Sequence, residues 1–298
     1  MTTAYPESES FQSDLTLTAP DSSSVTVFDP LIFDTPAQII AALEIDDLTF
    51  NSLMDNLDKP VERYCLFLDI DGTLAELCDD PAQSFVPAAT LKCIETLYEG
   101  GLHVVAVTGR DVPTALQLLS PLKLPVAGLH GLDILLDEST HIKPTFDDID
   151  FAQLKQQLQQ ACAAYPALLI EDKAYSFALH YRQCPELAEV ALHIMQQLQA
   201  DYPQLKLGFG KCVIEILPKQ ADKGNAIAWI MQQPLAAQRK AIFIGDDITD
   251  ESGFALVNAL GGLSIKVGSG PTQAHYRLPT VATVADFLTA FSTLVFQH

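Results

Sequence analysis

The feature that most constrains this chain is the run Cys65-Leu66-Phe67-Leu68-Asp69-Ile70-Asp71-Gly72-Thr73-Leu74. Its apolar beginning predicts a buried strand over 65–70. Two aspartates one residue apart close it, followed by Gly-Thr. Within a strand that spacing puts Asp69 and Asp71 on one face. Two like charges about 4 Å apart cost roughly 4 kcal/mol at an effective dielectric of 20, so the fold must supply a cation or a shared proton. Gly72 lets the backbone leave the strand sharply, and Thr73 offers a hydroxyl at the turn. The stretch alone supports two readings. One is a magnesium site whose leading carboxylate attacks an electrophile. The other is a strand end with an Asx turn, which needs no chemistry.

Charge narrows the partners. The 298 residues carry a formal net charge of -21 with only 17 Lys and Arg. Such a surface repels nucleic acid and anionic membranes, so neither is expected as a partner. It also repels an anionic substrate at long range, so any phosphate site must be locally basic. The six cysteines show no CxxC spacing and several sit in apolar runs, which predicts reduced, buried thiols. No basic segment followed by an apolar core opens the chain, and no uncharged apolar run reaches the roughly 18 residues of a membrane span. A soluble cytoplasmic protein is the expectation.

Residues 1–60 read as an acidic extension: a polar tail to Pro20, a short helix from Pro36 capped by Thr35, and a second helix over 47–57. It is either a tail with two surface helices or a docking or oligomerisation arm. From Tyr64 strands and helices alternate, with a helix over 88–99, a strand over 103–107 ending in Thr108-Gly109-Arg110, a helix over 111–120 and a strand over 125–129. Helical crossovers imply a parallel sheet. Near residue 140 the rhythm changes to an α+β pattern, with Gly208 and Gly210 suited to a tight turn between strands. The first pattern returns after 220, with a helix from Lys223, a strand ending in Gly245-Asp246-Asp247, a strand over 262–267 and a closing helix over 284–296. The expected organisation is a Rossmann-like α/β core of 61–139 and 221–298, interrupted by an α+β cap of 140–220.

In an open parallel sheet, ligands bind beyond the carboxyl ends of the strands. That rule brings Asp69 and Asp71, Thr108, and Asp246, Asp247 and Asp250 to one rim. Hard oxygen donors in that number suit magnesium. Lys223 at a helix N-terminus can neutralise a phosphoryl oxygen or hold a carboxylate in line.

Asp69-Ile-Asp-Gly-Thr, Thr108-Gly-Arg, Lys223-Gly and Gly245-Asp-Asp-Ile-Thr-Asp-Glu resemble, in order, the four motifs of the haloacid dehalogenase superfamily of phosphatases. The resemblance spans about 62–298. Within that superfamily the chain resembles the trehalose 6-phosphate phosphatases through Leu74-Ala-Glu-Leu, Asp79-Asp80-Pro81, Gly128-Leu-His130-Gly131, Glu171-Asp-Lys173, His180-Tyr-Arg182 and Gly210-Lys-Cys-Val-Ile-Glu215. Asp133 departs from the pattern, where Glu is commoner.

The resemblance implies a magnesium-dependent hydrolysis of a sugar phosphate and a functional link to a trehalose 6-phosphate synthase. It makes Asp69 the nucleophile, Asp71 the general acid and base, and Asp69, Asp71 (through its backbone carbonyl) and Asp246 the metal ligands. Thr108, Gly109 and Lys223 would bind phosphate, with Asp247 and Asp250 behind them. Glu171, Lys173 and Glu215 in the cap would contact the sugar; a surface salt bridge is the alternative for these three. Helix capping alone is the alternative for Asp247, Asp250 and Glu251. Arg110, His130 and Arg182 are further candidates. His130 reads equally as a rim contact or a packed histidine, and His180 with Arg182 as an interface or a solvated pair. Two rival functions remain at this point: another sugar phosphatase, such as a sucrose-phosphate phosphatase, and a non-catalytic module that binds sugar phosphate or a synthase partner.

Overall fold

Four apolar runs, Tyr64–Leu68 (β1), His103–Val107 (β2), Lys240–Gly245 (β10) and Leu263–Val267 (β11), lie side by side and in parallel at the centre of an eight-stranded sheet. The computed structural model describes residues 33–50, 63–78 and 80–296. Between β1 and β2 comes Ala88–Glu99 (α2). Val112–Leu118 (α3), Val126–Gly128 (β3), Asp133–Leu135 (β4) and His141–Ile142 (β5) follow β2. Lys223–Met231 (α6) precedes β10, and Glu251–Ala259 (α7), Tyr276–Leu278 (β12) and Val281–Phe296 (α8) complete this part. The strand order is β12-β11-β10-β1-β2-β3-β4-β5, parallel from β12 to β3 and antiparallel beyond.

Side-chain alternation explains why this sheet is covered on both faces. Leu66 and Leu68 enter a core with residues of α2, α3 and α8. Cys65 and Phe67 enter a second core with Ala226, Ile227, Phe254 and Val257 of α6 and α7. Pro36–Phe50 (α1) adds Ile39 and Leu43, both fully buried, to the first core. Just before it, the Asp34 amide donates to the Arg277 carbonyl (2.7 Å) and the Asp34 carboxylate accepts from the Arg277 amide (2.8 Å). The start of the chain's described part therefore packs as an integral layer rather than lying on the surface.

The inserted unit contains Phe151–Cys162 (α4), Leu169–Asp172 (β6), Phe177–His180 (β7), Ala188–Asp201 (α5), Leu205–Gly210 (β8) and Val213–Pro218 (β9). Its antiparallel sheet runs β6-β7-β9-β8. Phe177, Leu179, Ile214 and Ile216 bury one face with α4 and α5. The opposite face carries a row in which Glu171 pairs with Ala178, Ala178 with Glu215, and Glu215 with Gly208. Small neighbours leave those two carboxylates room to project.

Four expectations need correction. β1 ends at Leu68, so Asp69 and Asp71 lie on a turn and strand alternation does not govern them. Gly208 and Gly210 lie within β8; the hairpin turn is Lys211-Cys212, with Cys212 at φ 61. Residues 47–50 continue α1, and the rest of the expected second helix lies outside the described residues, as do the tail before residue 33 and Asp79. The short antiparallel strands β4 and β5 carry the core sheet past residue 140. Among the described residues no helix is long and apolar enough to cross a membrane.

Candidate active site

The carboxyl ends of β1, β2 and β10 meet at one cleft, and the second sheet's carboxylate row faces it. Asp69 leaves β1 still bonded to β10, its amide donating to the Ile244 carbonyl (3.0 Å). The chain then turns, with the Leu74 and Ala75 amides both donating to the Ile70 carbonyl (2.9 Å each). Gly72 sits in this turn at φ 83, and a Cβ there would fall 2.1 Å from Asp246 Oδ2. Only glycine allows both that backbone and that approach.

Lys223 is the cation of the deepest part. Asp222 caps α6 by accepting from the Asn225 amide (2.9 Å), which presents Lys223 at the first helical position. Its Nζ donates to Asp69 Oδ1 (2.8 Å) and Asp250 Oδ1 (2.6 Å), with the lysine side chain 2% exposed. Asp250 Oδ2 accepts the Asp246 and Asp247 amides (2.9 Å each), so both its oxygens are engaged. Carboxylate oxygens of Asp69, Asp246 and Asp250 all lie within 4.8 Å of one another.

Lys223 alone does not neutralise three buried carboxylates, and the other nearby cations, largely exposed Lys211 and Lys266 on the Asp246 carbonyl, leave Asp69 and Asp246 still pushed upward. Burial, then the neighbouring Asp250 and Asp246 carboxylates, push Asp69 well above the carboxylate range against the pull of Lys223. Asp246 is pushed to about 6 by burial and Asp250, although Lys211 Nζ reaches its Oδ2 at 3.1 Å. Burial opposes the charge on Lys223, yet Asp250 and Asp69 outweigh it and hold the amine protonated. Clustered hard oxygens short of positive charge fit a divalent cation such as magnesium. Asp69 and Asp246 each have one oxygen taken by a lysine; with Asp250 saturated by its own partners, these two are the better ligands.

Asp71 faces elsewhere. Arg110 grips it in a two-pronged pair, Nε to Oδ2 and Nη2 to Oδ1, both at 2.7 Å, and Ser84 donates to Oδ1 at 3.1 Å. Burial would raise the Asp71 carboxyl, but the hydrogen bonds and charge of Arg110 hold it below its usual range. The sequence reading required a cation or a shared proton for the Asp69 and Asp71 pair; for the Asp71 side chain that cation is Arg110. Thr108 is buried, its hydroxyl accepting from the Arg110 amide (3.1 Å). Thr73 is also buried, and its hydroxyl lacks a hydrogen-bond partner among the described residues.

Across the cleft, Glu215 gathers three donors: Ser176 Oγ on Oε1 (2.5 Å), and His130 Nε2 (3.1 Å) and Lys173 Nζ (3.4 Å) on Oε2. Burial opposes its charge, yet Lys173 and His130 hold the carboxyl well below the usual range. Glu171 pairs with His180 (2.8 Å). Burial disfavours the Lys173 charge, but Glu215 and Glu171 restore it. Arg182 crosses from the second sheet to the core, donating to the Cys78 carbonyl (2.5 Å) and, on its own side, to the Lys211 carbonyl (3.0 Å).

The structure thus brings Asp69, Asp71, Thr108, Gly109, Arg110, His130, Glu171, Lys173, His180, Arg182, Glu215, Lys223, Asp246 and Asp247 to one cleft. Asp250 lies behind it, and Asp247 caps the turn Ile248–Asp250. Glu251 instead accepts from the Gln273 amide (2.7 Å), and Asp133 pairs with His141 (2.7 Å). Sequence reasoning missed Ser84, Ser176, Lys211 and Lys266, whose amine donates to the Asp246 carbonyl. Only Lys211 left a trace, beside Gly210 in a stretch already singled out.

Comparison with known proteins decides the family. The trehalose-phosphatase family model matches residues 67–282. The chain belongs to the trehalose-phosphatase family. The family's members are phosphoric monoester hydrolases. The chain is 40% identical over 237 residues to trehalose-6-phosphate phosphatase of Escherichia coli K12, covering 79% of this chain and 89% of that protein. It is 37% identical over 242 residues to a probable trehalose-phosphate phosphatase of Sinorhizobium fredii, covering 80% and 91%. The C-terminal domain of Candida albicans trehalose-6-phosphate phosphatase shares the fold at TM-score 0.70 and 21% identity, over 78% of this chain and 92% of that one. The trehalose-phosphatase match begins inside β1, so α1 lies outside it although its side chains enter the same core.

Proposed function

We propose that this protein hydrolyses trehalose 6-phosphate to trehalose and phosphate, with magnesium and through a phosphoryl group carried on Asp69, as a cytoplasmic enzyme of trehalose biosynthesis. The observation that carries this reading is one cleft with two unlike walls. One wall holds buried Asp69, Asp246 and Lys223, with Asp250 behind them; the other holds Glu171, Lys173 and Glu215. The first is matched to a phosphoryl group, the second to a neutral, hydroxyl-rich sugar.

In this account the core is 61–142 with 221–298, and the cap runs from just after β5 to 220. Asp69 and Asp246 would hold magnesium with the Asp71 carbonyl, and the ion supplies neutralisation of phosphoryl charge when bound. Asp69 attacks phosphorus while the bond to the sugar oxygen breaks, and Asp71 gives that oxygen its proton. Asp71 then takes a proton from water, which attacks the phosphorus and frees Asp69. Lys223 keeps Asp69 in line, Asp250 and Asp247 brace Lys223 and the turn, and Thr108, Gly109 and Arg110 receive phosphoryl oxygens. Arg110 holds Asp71 ionised in the present arrangement, which suits its role as base. A phosphoryl anion draws the guanidinium toward itself and lets the Asp71 carboxyl keep the proton that the first step needs. The complete set of acids argues against a purely regulatory role, and the substrate links the enzyme to a trehalose 6-phosphate synthase.

The test is phosphate release from trehalose 6-phosphate by the full chain with and without magnesium. Release that requires the ion supports the reading; absence of release with magnesium overturns it.

A further inference from the structure

The turn Leu129–Gly131 has an unusual backbone. Leu129 (φ 51) and His130 (φ 55) are consecutive non-glycine residues in the left-handed region, followed by Gly131 at φ 93. Such conformations persist only where the surroundings enforce them, and they gather at functional sites. Here the enforcement is visible. The Leu129 amide donates to the Arg110 carbonyl (2.8 Å) and the His130 amide to the Thr108 carbonyl (2.9 Å), which ties the turn to the phosphate loop. Gly131 lies against the helix that carries Lys223, where a Cβ would fall 2.5 Å from Ala226 Cβ.

The strained turn aims one side chain across the cleft. The His130 ring lies over Gly109, where a Cβ would fall 2.7 Å from its Cε1. Its Nε2 lies 3.1 Å from Glu215 Oε2, with side chains 11% and 12% exposed. Nδ1 is buried without a hydrogen-bond partner among the described residues. A bare N–H there would be wasted, so the proton sits on Nε2 and is donated to Glu215. The other two donors to Glu215, Ser176 and Lys173, belong to the cap; His130 reaches it from the core.

We propose that His130 is a positioning residue, which fixes the cap carboxylate Glu215 in register with the phosphate loop. One contact then sets the distance between the sugar's hydroxyl partners and its phosphoryl pocket. A substrate must match that span, so His130 contributes to selectivity without touching the reacting atoms. The inference rests on the sugar-phosphate reading above.

The test compares His130→Asn, which tolerates left-handed backbone but cannot reach Glu215, with His130→Gln, whose amide can donate near the Nε2 position. The readout is the efficiency on trehalose 6-phosphate divided by that on p-nitrophenyl phosphate, which is too small to span the cleft. The ratio falls about tenfold in His130→Asn, chiefly through KM on the sugar phosphate, and largely recovers in His130→Gln. In a Glu215→Gln background His130→Asn lowers it no further. An unchanged ratio, or the same additional fall in the Glu215→Gln background, overturns the proposal. Thermal melts of wild type, His130→Asn, Glu215→Gln and the variant carrying both substitutions need no substrate. The double variant should melt no lower than the weaker single, and additive losses overturn the contact. If wild type does not turn over trehalose 6-phosphate, the functional reading fails while the melts still judge the contact.

Discussion

Lys223 and Asp69, 154 residues apart in the chain, meet at 2.8 Å in a place where the lysine side chain is 2% exposed. Asp250 holds the same amine at 2.6 Å. Removing one member of a buried charge network leaves the others unpaired, at a cost of about 3–5 kcal/mol. Lys223→Met is therefore expected to lower thermal stability markedly and abolish turnover. Asp69→Asn keeps a hydrogen-bond partner for Lys223 and relieves carboxylate crowding, so it should fold at least as well while losing several powers of ten in rate. Melting curves and phosphate release on the two variants separate the roles; near-native turnover by folded Asp69→Asn refutes the nucleophile.

Metal removal has a pH signature. Without a bound divalent cation Asp246 titrates near 6 against an ordinary 3.8, so between those values the folded state binds the extra proton. Stability of the chelator-treated protein then falls as pH rises through that window, by about 1–3 kcal/mol. Melts at pH 5 and pH 7.5 should show the loss with chelator and a smaller one with magnesium. Identical pH slopes with and without magnesium contradict the metal assignment. Chelator should also stop turnover, magnesium restore it, and calcium support it poorly, because calcium accepts longer bonds and more ligands.

The N-terminal extension divides at α1. Deleting residues 1–20 should leave turnover per active site unchanged. Deletion through residue 57 removes Ile39 and Leu43, both fully buried, and the Asp34 bonds to Arg277. Two such side chains contribute roughly 1.5–3 kcal/mol each, so this truncation should lower Tm by many degrees or be insoluble. A truncation at 57 with native Tm contradicts the packing described.

Lys173 tests the cap. Lys173→Ala leaves Glu215 short of a donor and removes a hydroxyl partner, about 1–3 kcal/mol for a buried group left unpaired. Efficiency on trehalose 6-phosphate should fall at least tens-fold, and on p-nitrophenyl phosphate much less. An equal fall on both places Lys173 in folding or chemistry instead.

Most of this fold was legible because its strands are short apolar runs with punctuated ends; β2 matches the sequence reading residue for residue. The rim was legible too, since strand ends in a parallel sheet gather wherever the side chains later point. What pairs with what was not. Asp69 and Asp71 look equivalent in sequence, but ending β1 at Leu68 sends one to Lys223 and the other to Arg110. Lys211 and His130 each find carboxylates only after the cap and core come together, a relation without any local period. The α1 layer escaped notice for a related reason: its partner surface on α8 lies at the far end of the chain.

The central claim is that one cleft reads both ends of trehalose 6-phosphate. Initial rates of phosphate release by the full chain with saturating magnesium, compared on trehalose 6-phosphate, sucrose 6-phosphate and glucose 6-phosphate, test it most directly. The account predicts an efficiency on trehalose 6-phosphate at least tens-fold above either alternative. Equal efficiencies on all three, or a preference for sucrose 6-phosphate, would contradict it.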